Sequence, residues 1–322
     1  MDTIFTAGFL SMLHALLPIF IIIVFAGFLV RRQMVNKSQI DSLSQLTVMV
    51  LLPALVFSHT LQYFDPYQLS YWWLLPLLGI GLSLLGLLLA YVVFLPRSFA
   101  FKNMMAVASM QNAGYLVLPI GKMLYPEDFT EFSIMTFLFI LGYNPLLWTL
   151  GKYLVTSSQT AGEEINFKKL ITPPAAANIV SLLLVLLGWQ HIFPNVLVDS
   201  VNFLGQAAIP VATFVLGATL GSISFKKLPA IIDVFRVMSV KYLLIPAVVL
   251  WLLWIFDIAK TYPLLSDFLI IQAAAAPATA LIIQVRAYGG NRQKVGTMML
   301  IAYILCLVAL PFWIALWHSI SL

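Results

Sequence analysis

The sequence predicts an all-α membrane protein: ten transmembrane helices arranged as two inverted five-helix repeats, both termini on the extracellular or periplasmic side. Three observations predict it. Of 322 residues, 62% are hydrophobic and only 9% are charged, against about 25% charge in a soluble domain. The apolar residues gather into ten runs of the ~20 residues that a spanning helix needs. Lysine and arginine collect in alternate loops, as they do on a cytoplasmic face. This composition excludes a soluble enzyme and a disordered chain. The net charge of +5 falls on no basic face with interleaved aromatics, so no nucleic-acid partner is expected.

The runs cover residues 9–30, 43–61, 72–95, 101–124, 131–150, 173–190, 201–220, 236–256, 266–286 and 296–317. They are continuous rather than alternating, which reads as helices and not as barrel strands. Between them, one side of the membrane collects Arg31, Arg32, Lys37, Arg97, Lys102, Lys152, Lys168, Lys169, Lys226, Lys227, Arg236, Lys241, Arg286, Arg292 and Lys294. The other side holds only Lys122 and Lys260. Moving one span boundary in or out destroys this asymmetry, so it supports the count as well as the orientation. The first run is too long for a signal peptide, and no Lys or Arg precedes it. The single cysteine, Cys306, lies among apolar residues and reads as an inert thiol. A multi-pass protein of the cell membrane is expected, with no cofactor and no metal.

The one long polar stretch inside the chain, Thr156 to Lys169, follows the fifth span. It divides the chain into an N-terminal repeat (1–155), a cytoplasmic linker (156–172) and a C-terminal repeat (173–322). Pro53 and Pro119 are 66 residues apart, and Pro210 and Pro277 are 67 apart. Asp41-Ser42 recurs as Asp199-Ser200, and Pro53-x-x-x-Phe57 recurs as Pro210-x-x-x-Phe214. Five spans is an odd number, so the two copies insert upside down relative to each other. Inverted repeats mark secondary transporters, whose discontinuous helices meet at the bilayer midplane.

Spans 4 and 9 carry the breaks. Span 4 contains Gly114, Pro119 and Gly121, with Gln111 and Asn112 beside them. Proline removes a backbone donor and frees a carbonyl one turn back, and in lipid that is tolerable where the freed groups line a cavity. Span 9 contains Gln272-Ala-Ala-Ala-Ala-Pro277-Ala-Thr279-Ala280, whose small residues let another backbone approach. A simple proline kink and ordinary small-residue packing are the plainer readings. At matching places in two repeats, a crossover of two broken helices accounts for both. The N-terminal ends of half-helices aim positive partial charge at such a crossing, which suits an anion without a buried cation.

The segment Asn112-Ala-Gly114-Tyr115-Leu-Val-Leu-Pro119 resembles the Asn-x-Gly-Phe/Tyr-x-x-x-Pro motif of the auxin efflux carrier family, in its bacterial branch. Ala276-Pro277-Ala278-Thr279-Ala280, followed by Tyr288-Gly289-Gly290-Asn291, resembles that family's span-9 signature. The resemblance implies a fold like that of bile-acid/sodium symporters and sodium/proton antiporters. It implies a scaffold of spans 1, 2, 6 and 7, paired in a homodimer, and a mobile, elevator-like transport domain of spans 3–5 and 8–10. It implies small carboxylate substrates, auxin-like or malate- and malonate-like. Carried over by position, Asn112, Gly114, Tyr115 and Pro119 form one side of the site, with Gln111 beside them. Pro277 and Thr279 form the other side. The short linker departs from the long loop of plant members.

No Asp or Glu lies at mid-depth in a span, which argues against a cation antiporter. Coupling is left open between a proton, a sodium ion and the membrane potential. Asn144, in the Tyr143-Asn144-Pro145 break of span 5, bonds either freed carbonyls or substrate. Lys241, about one turn into span 8, either snorkels to the cytoplasmic interface or attracts an anion. Ser58, Gln206 and Thr213 read as helix–helix bonds, or as scaffold groups facing the site. The four histidines lie near outer span ends and read as interfacial. The function expected is a carrier that moves a small organic anion by alternating access. The alternatives are a sodium-coupled bile-acid-type carrier or an ion channel, although no filter loop or ring of charge is evident. An intramembrane enzyme would need paired acids or a nucleophile and base at depth, and the spans hold neither.

Overall fold

A computed structural model of the chain describes residues 2–96, 101–155, 172–223, 228–288 and 290–321. The linker lies outside the described residues except for Thr172, and so does Gly289 of the span-9 signature. The described residues are helical throughout, with one isolated bridge and no strand. In chain order the helices are α1 (Asp2–Arg31), α2 (Lys37–Tyr63), α3 (Leu74–Val93), α4 (Lys102–Ser109), α5 (Val117–Leu124) and α6 (Phe129–Val155). They continue with α7 (Pro173–Leu186), α8 (Asn195–Gly221), α9 (Ile231–Ile255), α10 (Pro263–Ala274), α11 (Ala280–Tyr288) and α12 (Arg292–Ser321). Two shorter helical turns, Gln190–Ile192 and Ile258–Thr261, lie in loops.

Seven of these helices are long and apolar enough to cross a membrane: α1, α2, α3, α6, α8, α9 and α12. The other three expected spans depart from that standard for physical reasons. Spans 4 and 9 are each two half-helices, α4 with α5 and α10 with α11, separated by extended backbone. Span 6 is the 14-residue α7, about 21 Å long at 1.5 Å per residue. It starts at Thr172, whose side chain accepts from the Ala175 N–H, and at Pro173-Pro174. It stops at Gly188, which takes a left-handed φ of 72°, while the Trp189 N–H bonds back to the Leu184 carbonyl. α2 begins six residues before the expected span. Asn36 and Gln39 cap it reciprocally, each side chain accepting from the other's backbone N–H.

Helix contacts are close where glycine removes the Cβ. A Cβ at Gly217 or Gly221 of α8 would strike the backbone of Ile23 or Gly27 on α1. A Cβ at Gly142 of α6 would strike the Pro76 carbonyl on α3. α2 packs on α7 and α8, and α10 packs on α9 and α12. Side chains such as Ile21, Val24 and Phe25 of α1, and Trp251 and Trp254 of α9, are exposed. In a multi-pass protein these faces meet lipid, where exposed apolar area costs nothing.

Three long helices contain a π-turn beside a proline: Thr47–Leu51 before Pro53, Leu147–Gly151 after Pro145, and Val240–Leu244 before Pro246. Pro246 cannot donate to the Tyr242 carbonyl four residues back. Trp313 Nε1 donates to that carbonyl instead, at 2.7 Å.

Two sequence expectations are corrected here. α9 starts at Ile231, so Lys241 lies eleven residues into the helix rather than one turn. It does not snorkel: it is 1% exposed. His59, near the end of α2, does not face outward either. It is buried, with Nδ1 2.9 Å from Ser133 Oγ, and the rings of Tyr63, Phe129 and Phe137 surround it.

Candidate functional site

The two breaks cross and bond to each other. Between α4 and α5 the chain is extended at Met110 and Gln111, and between α10 and α11 at Ala275 to Pro277. Gln111 and Pro277 form an antiparallel bridge. The Asn112 N–H donates to the Ala276 carbonyl at 2.7 Å, and the Ala278 N–H donates to the Met110 carbonyl at 3.0 Å. Proline suits this place because the strand it interrupts needs no N–H at residue 277.

Side chains satisfy the carbonyls that remain. Tyr143 donates from its hydroxyl to the Gln111 carbonyl at 2.5 Å. Gln272 Nε2 donates to the Ala113 carbonyl at 3.3 Å. Asn112 Nδ2 donates to the Tyr303 hydroxyl at 2.7 Å, and that hydroxyl donates to the Pro277 carbonyl at 3.0 Å. Asn112 and Tyr303 therefore clamp one break to the other. The Cys306 thiol donates to the Ala274 carbonyl at 3.7 Å.

A cavity of about 180 Å³ lies against the crossing. A single water needs only about 10–15 Å³ of such space, so the cavity admits a small molecule. Its walls come from α2 (Ser44, Val48, Leu52, Val56), from α6 (Phe137, Tyr143, Asn144, Trp148), from α7 (Ala175, Asn178) and from α8 (Val215, Thr219). The crossing contributes Gln111 to Tyr115 on one side and Ala278 to Ala280 on the other. Among the described residues, none of this wall carries a charge. α5 and α11 start at Val117 and Ala280, next to the cavity; the Leu118, Ile120, Leu281 and Ile282 N–H groups bond to the Gly114, Leu116, Ala278 and Thr279 carbonyls, so what these helix starts offer the cavity is the positive end of their dipoles.

Of the eight residues singled out in the sequence, Gln111, Asn112, Gly114, Tyr115, Asn144 and Thr279 line this cavity. Pro119 and Pro277 do not. Pro119 is buried in the first turn of α5, and Pro277 holds the bridge. Ser58 and Thr213 are spent on their own helices, donating to the Ala54 and Ile209 carbonyls at 2.8 Å. Gln206 is exposed. The sequence reading missed Asn178, which donates from Nδ2 to the Phe137 carbonyl at 2.7 Å and so ties α7 to α6 beside the cavity. It missed Tyr303 and Trp148 as well. The signal for Asn178 and Tyr303 was the one used for Gln111: a polar group inside an apolar span.

Residues 11–314 match the family described as membrane transport protein. The chain belongs to this family, the auxin efflux carrier family. It is therefore a multi-pass membrane transport protein. A similar curated protein is Protein PIN-LIKES 3 of Arabidopsis thaliana, 26% identical over 165 residues. That alignment covers 47% of this chain and 41% of the relative, so the chain spans well under two thirds of the relative's length. The crossing, with Asn112, Gly114, Tyr115 and Pro277, falls within the family match.

Proposed function

We propose that this protein is a secondary transporter that carries a small organic anion, a mono- or dicarboxylate, across the cell membrane by alternating access. One observation supports this most: the N-terminal ends of two half-helices border one cavity, and among the described residues its wall has no charged side chain. Dipole ends and amides bind a carboxylate without the desolvation cost of a buried ion pair. The helices then group into ten spans as two inverted repeats, with α1, α2, α7 and α8 as the scaffold. The transport domain comprises α3 to α6 and α9 to α12, and its cavity-facing residues are those of the crossing and Asn144. With the termini outside, the cavity opens toward the cytoplasm past Ser44 and Thr172. The lipid bilayer and a second copy of the chain are its partners.

The test is purified protein in proteoliposomes. Labelled malonate, malate and indole-3-acetate are offered, each with and without an imposed sodium gradient. Saturable uptake of at least one probe is expected. Stimulation by the sodium gradient would replace this reading with a sodium-coupled carrier, and unitary currents in a planar bilayer would replace it with a channel.

A further inference from the structure

Lys241 is buried at mid-span and plays no part in the cavity. Its ammonium has neither a hydrogen-bond partner nor a carboxylate partner among the described residues. An ammonium in this position needs some source of negative charge. The π-turn that carries it packs against α3, α4 and α10. α4 and α10 are the half-helices that run into the crossing, and they end at Ser109 and Ala274. Their last carbonyls have no helical donor and carry negative partial charge. Cys306, whose thiol donates to the Ala274 carbonyl, lies within electrostatic reach of the ammonium. The crossing thus has two faces. Half-helix N-termini border the cavity, and half-helix C-termini lie toward Lys241.

The other ionisable groups around Lys241 are engaged elsewhere. On α9, Asp233 pairs with Lys294 of α12 at 3.2 Å, Arg236 lies over the Phe94 and Phe101 rings, and the Tyr242 hydroxyl donates to the Ala302 carbonyl. On α12, Tyr303 is bonded within the crossing. On α10, Asp267 accepts from Tyr125 and lies 3.0 Å from His318 Nε2. On α4, Lys102 points to the Tyr153 carbonyl, and on α3, Tyr91 is exposed. Among the described residues, the Cys306 thiol is the ionisable group within electrostatic reach of Lys241.

We propose that Lys241 is a proton-binding site coupled to the anion site across the crossing. When a carboxylate enters the cavity, the neutral amine of Lys241 takes a proton from solvent. One N–H bond forms at Nζ, one O–H bond of hydronium breaks, and the occupied crossing gains no net charge. By reciprocity the proton raises anion affinity by the same factor that the anion raises proton affinity. This inference rests on the cavity being an anion site, and it supplies a proton carrier where no span has an acid at mid-depth.

The test uses full-length protein in detergent, as wild type, Lys241→Met and Lys241→Arg. Malonate, malate and indole-3-acetate are first screened by thermal shift. For a probe that stabilises the wild type, proton uptake on binding is read in weakly buffered solution near pH 7. Net proton uptake on anion binding is expected for the wild type. Both variants are expected to bind with less than a tenth of that uptake, because methionine cannot titrate and arginine keeps its proton. Equal proton counts in wild type and Lys241→Arg would overturn the proposal. If no probe stabilises the wild type, the substrate reading and the coupling fail together, and ligand-free melting curves from about pH 5.5 to 9 then decide whether Lys241 is a proton-binding site at all. Midpoints that run parallel in all three proteins overturn that assignment, and a wild-type curve that diverges from both variants supports it.

Discussion

Asn112 carries two duties. Its backbone N–H and its side-chain amide both hold the crossing, through Ala276 and Tyr303, and the residue also lines the cavity. Tyr303 carries only the first duty, which separates the two by mutation. Tyr303→Phe removes one hydroxyl and strands the Asn112 amide donor and the Pro277 carbonyl. Leaving such a buried group unpaired costs about 1–3 kcal/mol, so a lower melting temperature is expected, with probe affinity changed less than stability. Asn112→Ala is expected to show a similar loss of stability and, in addition, weaker probe binding by thermal shift. In the double variant the stability losses are expected to be sub-additive, because both substitutions remove the same bond. Additive losses would mean that the two residues act independently.

At the scale of the element, the break in span 9 is a contest between propensity and proline. The residues around Pro277 are almost all alanine, the strongest helix former, while proline in a helix interior costs about 3 kcal/mol. Pro277→Ala is expected to let α10 run on into α11 and dissolve the Gln111–Pro277 bridge. Uptake into proteoliposomes would fall at least about tenfold, the equivalent of 1.4 kcal/mol, and uptake at the wild-type rate would show that the bridge holds the break unaided. Gly142→Leu tests a different element contact. The new side chain has nowhere to go but the Pro76 backbone, so loss of the monodisperse peak in size exclusion is expected. The breaks were legible in the sequence because Gly114, Pro119 and Pro277 interrupt apolar runs, and backbone chemistry alone says that helix cannot pass them cheaply. The shortness of α7 was not, because Gly188 sits inside an apolar run and stops the helix only through its left-handed backbone. The burial of Lys241 was not legible either. Its depth depends on where α9 begins, and the first turn of that helix, Ile231 to Arg236, mixes charged with apolar residues.

At the scale of the molecule, α6 docks on the proposed scaffold through two polar contacts one turn apart. His59 of α2 meets Ser133, and Asn178 of α7 meets the Phe137 carbonyl. If the transport domain slides, both contacts must part. His59→Cys combined with Ser133→Cys is expected to cross-link under oxidation and to stop uptake, with recovery on reduction. The native Cys306 is buried and unpaired, so it adds little background. Uptake that continues in the cross-linked protein would mean that α2 and α6 move together. The absence of charge among the described residues of the cavity wall has a further consequence, in ionic strength. Mobile salt screens attraction between exposed charges over about 10 Å at 0.1 M, and carriers that grip an anion with surface arginines weaken as salt rises. On the proposed reading the anion is held by peptide dipoles and amides rather than by exposed charges. Its affinity is expected to stay nearly level from low salt to brine, set by the fold and not by the medium.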